Sequence, residues 1–381
     1  MKRHQFILAY ILCFTCAFAT NQLSELLPKQ PELDVKSFIL IDANSNAILA
    51  QKNATQEFEP ASLTKLMSMY VVSTALKNQQ INITDDITVS TKAWKQEGSR
   101  MFIKVGSKVS TEDLIKGVIV ASGNDATIAL AEHTAGSENS FVDIMNNVAK
   151  SFDLEHTHFM NPTGMPEKNH FSSARDLATI ARHVIQDFPE HYEWYKQKWF
   201  TYNKIKQPNR NRLLWQDSFV DGMKTGHTNS AGYCLIASAK NNDTRLIAVI
   251  MGAKSDTARN NAASQLLNYG FRFYTTQKAL SSNQALGQIM TLKGMKGQAT
   301  FGVEKDLYIT YPKSANQTIS TKANLPKSIV APIHKGEKIG TIDILINNAK
   351  VASSDVVSLE EISRGSNLRV LIDSVKSWFF G

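Results

Sequence analysis

The chain has 381 residues, 43% of them hydrophobic and 20% charged, which is ample for two or three domains and excludes a disordered polymer. Its formal charge of +8 is spread along the sequence without a run of five or six like charges. Zinc-finger spacing, a basic helix and an aromatic RNA-binding motif are also missing, so no nucleic-acid partner is expected.

Residues 1–19 read as a secretory signal peptide. Lys2 and Arg3 open it, the apolar run over 6–18 is too short to span a bilayer, and Ala17-Phe18-Ala19 offers a cleavage site. Cleavage would remove Cys13 and Cys16 and leave only Cys234, so the exported chain must be held by its core rather than by disulfides.

Apolar runs at 38–41 and 47–50 flank Asn44-Ser45-Asn46, a hairpin pattern. Runs at 233–237 and 246–250 around Asn241-Asn242-Asp243 form a second hairpin. Between them the pattern predicts helices over 62–76, 111–120, 126–134 and 174–185, with another over 260–274. Strands at both ends and helices in the middle predict an α+β domain over 31–282: one antiparallel sheet closed by the two chain ends, with a helical lobe inserted.

Ser281-Ser282-Asn283-Gln284 is polar and marks the expected boundary. Over 285–364 short apolar stretches are broken by Gly, Pro, Asn and Lys, and Ile342, Ile344 and Ile346 alternate as in a half-buried strand. This predicts a small all-β, sandwich-like domain. Over 365–381, Leu368, Leu371, Ile372, Val375, Trp378 and Phe379 share one helical face, while Asp373, Ser374, Lys376 and Ser377 lie elsewhere. Such a helix is too short and polar to span a bilayer. With Trp378, Phe379 and Phe380 at its end, it is expected to lie in the membrane surface as an anchor; the alternative is packing on the β domain.

Three short motifs carry chemistry. In Pro60-Ala61-Ser62-Leu63-Thr64-Lys65, Ser62 and Lys65 are i, i+3 on a helix whose other residues are apolar nearly all round. Burial disfavours the charged form of Lys65, and a neutral amine beside a hydroxyl is a general base next to a nucleophile. Ser122-Gly123-Asn124 places a hydroxyl and an amide at a turn, where they can relay a proton and hold a carbonyl. Lys224-Thr225-Gly226, on an edge strand, suits an extended substrate ending in a carboxylate, with the glycine leaving room for the substrate backbone.

In order, spacing and placement these motifs resemble the penicilloyl-serine transferases, the superfamily of penicillin-binding proteins and serine β-lactamases. Asn161-Pro162-Thr163-Gly164, 172–176, 221–228 and 268–274 are similar to the low-molecular-mass branch, the D-alanyl-D-alanine carboxypeptidases. The resemblance implies a β-lactamase/transpeptidase-like catalytic domain and a peptidoglycan pentapeptide substrate. It makes Ser62 the acylated nucleophile and Lys65 its base, with Ser122 relaying a proton to the leaving D-alanine and Asn124 holding the peptide. Lys224, Thr225 and Arg259 bind the terminal carboxylate, the N–H groups of Ser62 and His227 form an oxyanion hole, and Arg210 flanks the site with Arg212 as its near alternative. No metal or organic cofactor is required, β-lactams are expected inhibitors, and the enzyme is expected on the periplasmic side of the inner membrane.

A class A β-lactamase is the nearest rival, but it needs a deacylating Glu. The stretch 161–173 offers only Glu167, in an unlike context, and Gly123 stands where those enzymes have Asp. Endopeptidase or transpeptidase activity would use the same acyl-enzyme, whereas a non-catalytic envelope-binding protein would not need the Ser62/Lys65 pair. His156 and His158 lack a third metal ligand and read as surface residues, Cys234 reads as core, and Tyr192, Trp194, Tyr195, Trp199, Phe200 and Tyr202 read as packing of the helical lobe.

Overall fold

The computed structural model describes residues 29–313 and 317–380, with side chains to residue 374. The signal peptide expected over 1–19 lies outside the described residues.

Both predicted hairpins form. Ser37–Asp42 pairs with Ile48–Lys52, and Asp42 closes the turn, its Oδ1 accepting from the N–H groups of Asn44 and Ser45 at 3.0 and 2.7 Å. Gly232–Asn241 pairs with Thr244–Ala253 around Asn242, whose φ of 53° is a left-handed conformation that asparagine tolerates. Ser37–Asp42 lies against Thr244–Ala253, Leu40 opposite Ala248, so the two ends of the domain close one sheet. Val220–Thr228 adds an edge strand, giving five antiparallel strands in all.

The alternation of each strand sorts its side chains between two cores. Ile39, Ile41, Ile236, Val249 and Met251 face the inserted helices. Phe38, Leu40, Leu235, Ala248 and Ile250 face the helix Asp256–Phe273, packing with Ala262, Ala263, Leu266 and Leu267. The catalytic motifs stand where the edge strand meets the helical lobe.

Element boundaries differ from expectation where the site is built. The segment expected as one helix over 62–76 is a 3-10 turn, Ala61–Thr64, followed by the α-helix Lys65–Lys77. The turn is tight because Gly164 presses on it: a Cβ there would lie 1.8 Å from Ala61 O, and Ala61 itself has φ 48°. The helix expected at 126 begins at Asn124. Glu138–Ser151 forms a further helix that its narrow buried stripe, Phe141, Met145 and Ala149, does not announce in the sequence. The helix expected from 260 begins at Asp256, capped by Ser255 Oγ, which places Arg259 in its first turn.

The second block is a six-stranded sheet plus a two-stranded ribbon, with Ile342, Ile344 and Ile346 buried as their alternation predicts. The ribbon moves the boundary. Strand Tyr274–Leu280 precedes the polar stretch 281–284 yet pairs with Leu307–Pro312, so that stretch is a loop inside the β block. The strand's threonines and glutamine give it little apolar contrast with the polar stretch beside it, which hides it in the sequence. The helix Asn367–Phe380 meets the β block through its polar side. Asp373 Oδ2 accepts from the Lys293 N–H at 2.7 Å, while Leu368, Leu371 and Ile372 stay exposed.

Candidate active site

In a 3-10 turn residues i and i+3 eclipse, so the turn Ala61–Thr64 stacks Ser62 directly on Lys65, the first residue of the α-helix. Lys65 is fully buried, and its Nζ lies 2.9 Å from Ser62 Oγ, 2.7 Å from Asn124 Oδ1 and 2.5 Å from Thr163 O. Burial lowers the amine's pKa to about 7; the nearby Arg210 cation pushes the same way and the Asp125 carboxylate opposes. A neutral amine spends its two N–H groups on Asn124 Oδ1 and Thr163 O. Its lone pair is then left facing the Ser62 hydroxyl.

Ser122 has φ 59°, a strained backbone for a non-glycine residue, which puts its side chain into the cleft ahead of the helix that starts at Asn124. Lys224 Nζ donates to Ser122 Oγ at 2.8 Å and to Thr225 O at 3.0 Å. Lys224 is buried too, and desolvation first, then the cations of Lys65, Arg210 and Arg259, hold its pKa well below the usual lysine range. The first two motifs therefore meet at Asn124, and the second and third at Ser122.

Gly226 does a different job from the one its motif suggests. A Cβ there would lie 3.1 Å from Pro60 O and 3.2 Å from Ser62 N, so the glycine lets the edge strand close on the nucleophile turn. His227 follows it with an exposed ring set over Tyr233, centroids 4.1 Å apart. Arg259 is buried beneath the same strand: one Nη pairs with Asp256, the other lies 3.4 Å from Gly226 O, and Nε has no partner among the described residues. Arg210 Nε donates to Ala121 O at 3.2 Å, bracing the residue ahead of Ser122, while Arg212 pairs with Asp256 at 3.1 Å. Ser62, Ser122, Thr225, Gly226, His227 and Arg259 all line one cleft of about 740 Å³, with Arg210 and Arg212 on its wall.

Sequence reasoning missed two supports. Asn161 Oδ1 accepts from the N–H groups of Thr163, Gly164 and Met165, which fixes the loop whose Thr163 carbonyl holds Lys65. Asp125, buried beside Asn124, accepts from the N–H groups of Met101, Phe102 and Ile103 at 2.9–3.3 Å and so pins the loop on the cleft's rim. The signal for the second was the acid next to Asn124. Glu167, the only acid in 161–173, is hydrogen-bonded to Asn161 Nδ2 at 3.2 Å.

The remaining candidates fall outside this site. His156 faces Glu57 and His158 bonds Asn169 O, and the described residues hold no group of three or more potential metal ligands. Cys234 is buried opposite Gly226, and burial pushes its thiol up to about 11. Tyr192, Tyr195 and Phe200 pack in the lobe as expected, but Trp199 does not: it is exposed and lines the cleft.

Residues 24–255 match the family described as D-alanyl-D-alanine carboxypeptidase, and residues 274–364 match the C-terminal domain of penicillin-binding protein 5. The chain belongs to the D-alanyl-D-alanine carboxypeptidase family. It is 41% identical over 366 residues to the D-alanyl-D-alanine carboxypeptidase DacC of Escherichia coli, covering 94% of this chain and 90% of that one. Penicillin-binding protein 5 from Haemophilus influenzae superposes with a TM-score of 0.82 at 41% identity, over 88% of this chain and 100% of that one. Penicillin-binding protein 6B from Escherichia coli superposes with a TM-score of 0.72 at 37% identity, over 87% and 97%. The protein is thus a serine-type peptidase, with the catalytic and β domains of this family in the order the motifs imply.

Proposed function

We propose that the protein removes the terminal D-alanine from peptidoglycan pentapeptides through an acyl-enzyme on Ser62. The observation that carries this is the Lys65 amine, fully buried and placed on Ser62 Oγ by Asn124 and Thr163. A binding-only protein has no use for a desolvated lysine on a serine.

Neutral Lys65 takes the Ser62 proton as Oγ attacks the carbonyl of the penultimate D-alanine. The developing oxyanion is met by the N–H groups of Ser62 and His227, each donor worth about 3–4 kcal/mol in such sites. Collapse breaks the peptide bond, and the proton reaches the departing amine through Ser122, which Lys224 orients. Lys224, Thr225 and Arg259 hold the substrate's carboxylate. Water then attacks the ester and frees the tetrapeptide and Ser62. A β-lactam would acylate the same oxygen and leave slowly, since Glu167 is tied to Asn161 rather than aimed at Ser62.

The same reading places the enzyme outside the cytoplasm, exported by residues 1–19 and held on the outer face of the inner membrane. No helix among the described residues is long and apolar enough to cross a membrane. The exposed Leu368, Leu371 and Ile372 support attachment by a surface-lying helix instead. Chromatographic assay of D-alanine released from a pentapeptide tests the activity: wild type should release it, and Ser62→Ala should not. Release by the Ser62→Ala variant would overturn the reading.

A further inference from the structure

Bare apolar side chains are not spread evenly over this molecule. Among the described residues the three most exposed large ones are Met295, Leu368 and Leu371, at 69%, 69% and 63%, and all three lie at one end of the β block. The next two, Met290 and Val330, stand on the paired strands Gly287–Leu292 and Ser328–Val330, the first of which runs straight into the turn that carries Met295. A single bare apolar residue is ordinary, but a cluster of them marks an interaction surface.

The turn is Lys293-Gly294-Met295-Lys296-Gly297, and it is held against the start of the terminal helix. The Met295 N–H donates to Ser363 O at 2.9 Å, the Gly365 N–H donates to Lys293 O at 2.7 Å, and Asp373 on the helix accepts from the Lys293 N–H. Arg369 reaches across to Gly297. With Arg369 and Asp373 turned to the β block, the helical period points Leu371 away from it. Met295 is therefore a fixed projection beside the helix, not the tip of a loose loop.

Cations surround these projections. Lys296 pairs with Glu360, and Arg369 lies 3.9 Å from Asp373. Glu361 is taken up by His334. Lys293 and Arg364 form no ion pair with a carboxylate among the described residues. Apolar tips with spare cations between them fit a lipid surface, because the tips can enter the acyl boundary while the cations stay with the phosphates. We propose that the turn 293–297 and the terminal helix form one contact surface for an anionic bilayer, with Met295 inserted beside Leu368 and Leu371 and with Lys293 and Arg364 on the lipid phosphates. The turn gives the β block a second point of contact, so the enzyme stands at a set angle instead of swinging on its helix. This rests on the surface attachment proposed above and adds the turn and the lipid charge to it.

The test is flotation of the exported chain, residues 20–381, with vesicles of equal parts phosphatidylethanolamine and phosphatidylglycerol, and with vesicles of phosphatidylcholine alone. Wild type should bind the anionic vesicles at least about tenfold more tightly. Met295→Ser should weaken binding to both kinds about tenfold, and Met295→Leu should restore it. Lys293→Gln combined with Arg364→Gln should weaken binding to the anionic vesicles about tenfold or more and leave binding to phosphatidylcholine unchanged. Each variant should melt with wild type and release D-alanine from a soluble pentapeptide at the wild-type rate. Binding that is lost on deleting 367–381 but unchanged in the turn variants would overturn the role of the turn and leave attachment by the helix standing. No binding by wild type would overturn both, and equal binding to the two kinds of vesicle would overturn the anionic surface. Self-association of wild type that Met295→Ser abolishes, without vesicle binding, would make the turn a contact between copies and overturn the proposal.

Discussion

The Lys65 amine lies 2.9 Å from the Ser62 hydroxyl and is held there by two buried hydrogen bonds, to Asn124 Oδ1 and Thr163 O. Only its neutral form can take the Ser62 proton, and burial lowers its pKa from 10.5 to about 7. Below that pH the base is protonated and acylation is lost tenfold per pH unit; above it the rate levels off. A kcat/KM profile for a pentapeptide should therefore rise through about pH 7. Arg210→Gln removes a neighbouring cation, favours the charged amine and should move that limb to higher pH. A limb near the ordinary lysine value would contradict a desolvated base.

Two glycines bracket the nucleophile turn with unequal room. A Cβ on Gly226 meets Pro60 O at 3.1 Å and Ser62 N at 3.2 Å, so Gly226→Ala should shift Ser62 by a few tenths of an ångström. Acylation by benzylpenicillin should slow about tenfold or more while the melting temperature changes little. Gly164→Ala combines φ 82° with a Cβ 1.8 Å from Ala61 O, and should cost about 2 kcal/mol or more of stability. Stopped-flow acylation and thermal denaturation of the two variants check this contrast.

The buried donors of Lys224, Thr225 and Arg259 imply a substrate with a free C-terminus. Amidating the terminal D-alanine removes the charge those donors meet, at about 2–5 kcal/mol, or about 30- to several thousand-fold in kcat/KM. Parallel assays of free and amidated pentapeptide measure it, and equal turnover would refute the carboxylate pocket.

The terminal helix docks by Asp373 and leaves its leucines bare. Leu368, Leu371 and Ile372 would each contribute about 1.5–3 kcal/mol on entering lipid. Deleting 367–381 should release the enzyme from membranes, with unchanged turnover of a free pentapeptide and a melting temperature within about 2 °C. Sedimentation of the truncated protein with membranes, or a marked fall in melting temperature, would make the helix structural.

The sheet was legible because its strands are short apolar runs and its turns carry asparagines, as at Asn44-Ser45-Asn46 and Asn241-Asn242-Asp243. The motif residues were legible because each pairs chemical types at a spacing that a fold can exploit. What escaped was set by contacts distant in sequence. Nothing local tells that Gly164 tightens the turn at Ala61, or that the carbonyl of Thr163 faces Lys65 from 98 positions away. Tyr274–Leu280 looks like part of the catalytic block until its partner, Leu307–Pro312, is seen beside it. Trp199 shares the sequence texture of the buried Tyr195 and Phe200, and only the position of the cleft separates them.

Mass spectrometry of the benzylpenicillin-treated protein, intact and after peptide mapping, tests the Ser62–Lys65 assignment most directly. The expected result is one adduct per chain, mapped to Ser62, absent in Ser62→Ala and formed at least about 10²-fold more slowly in Lys65→Ala. An adduct on any other residue, or undiminished labelling of Ser62→Ala, would contradict it.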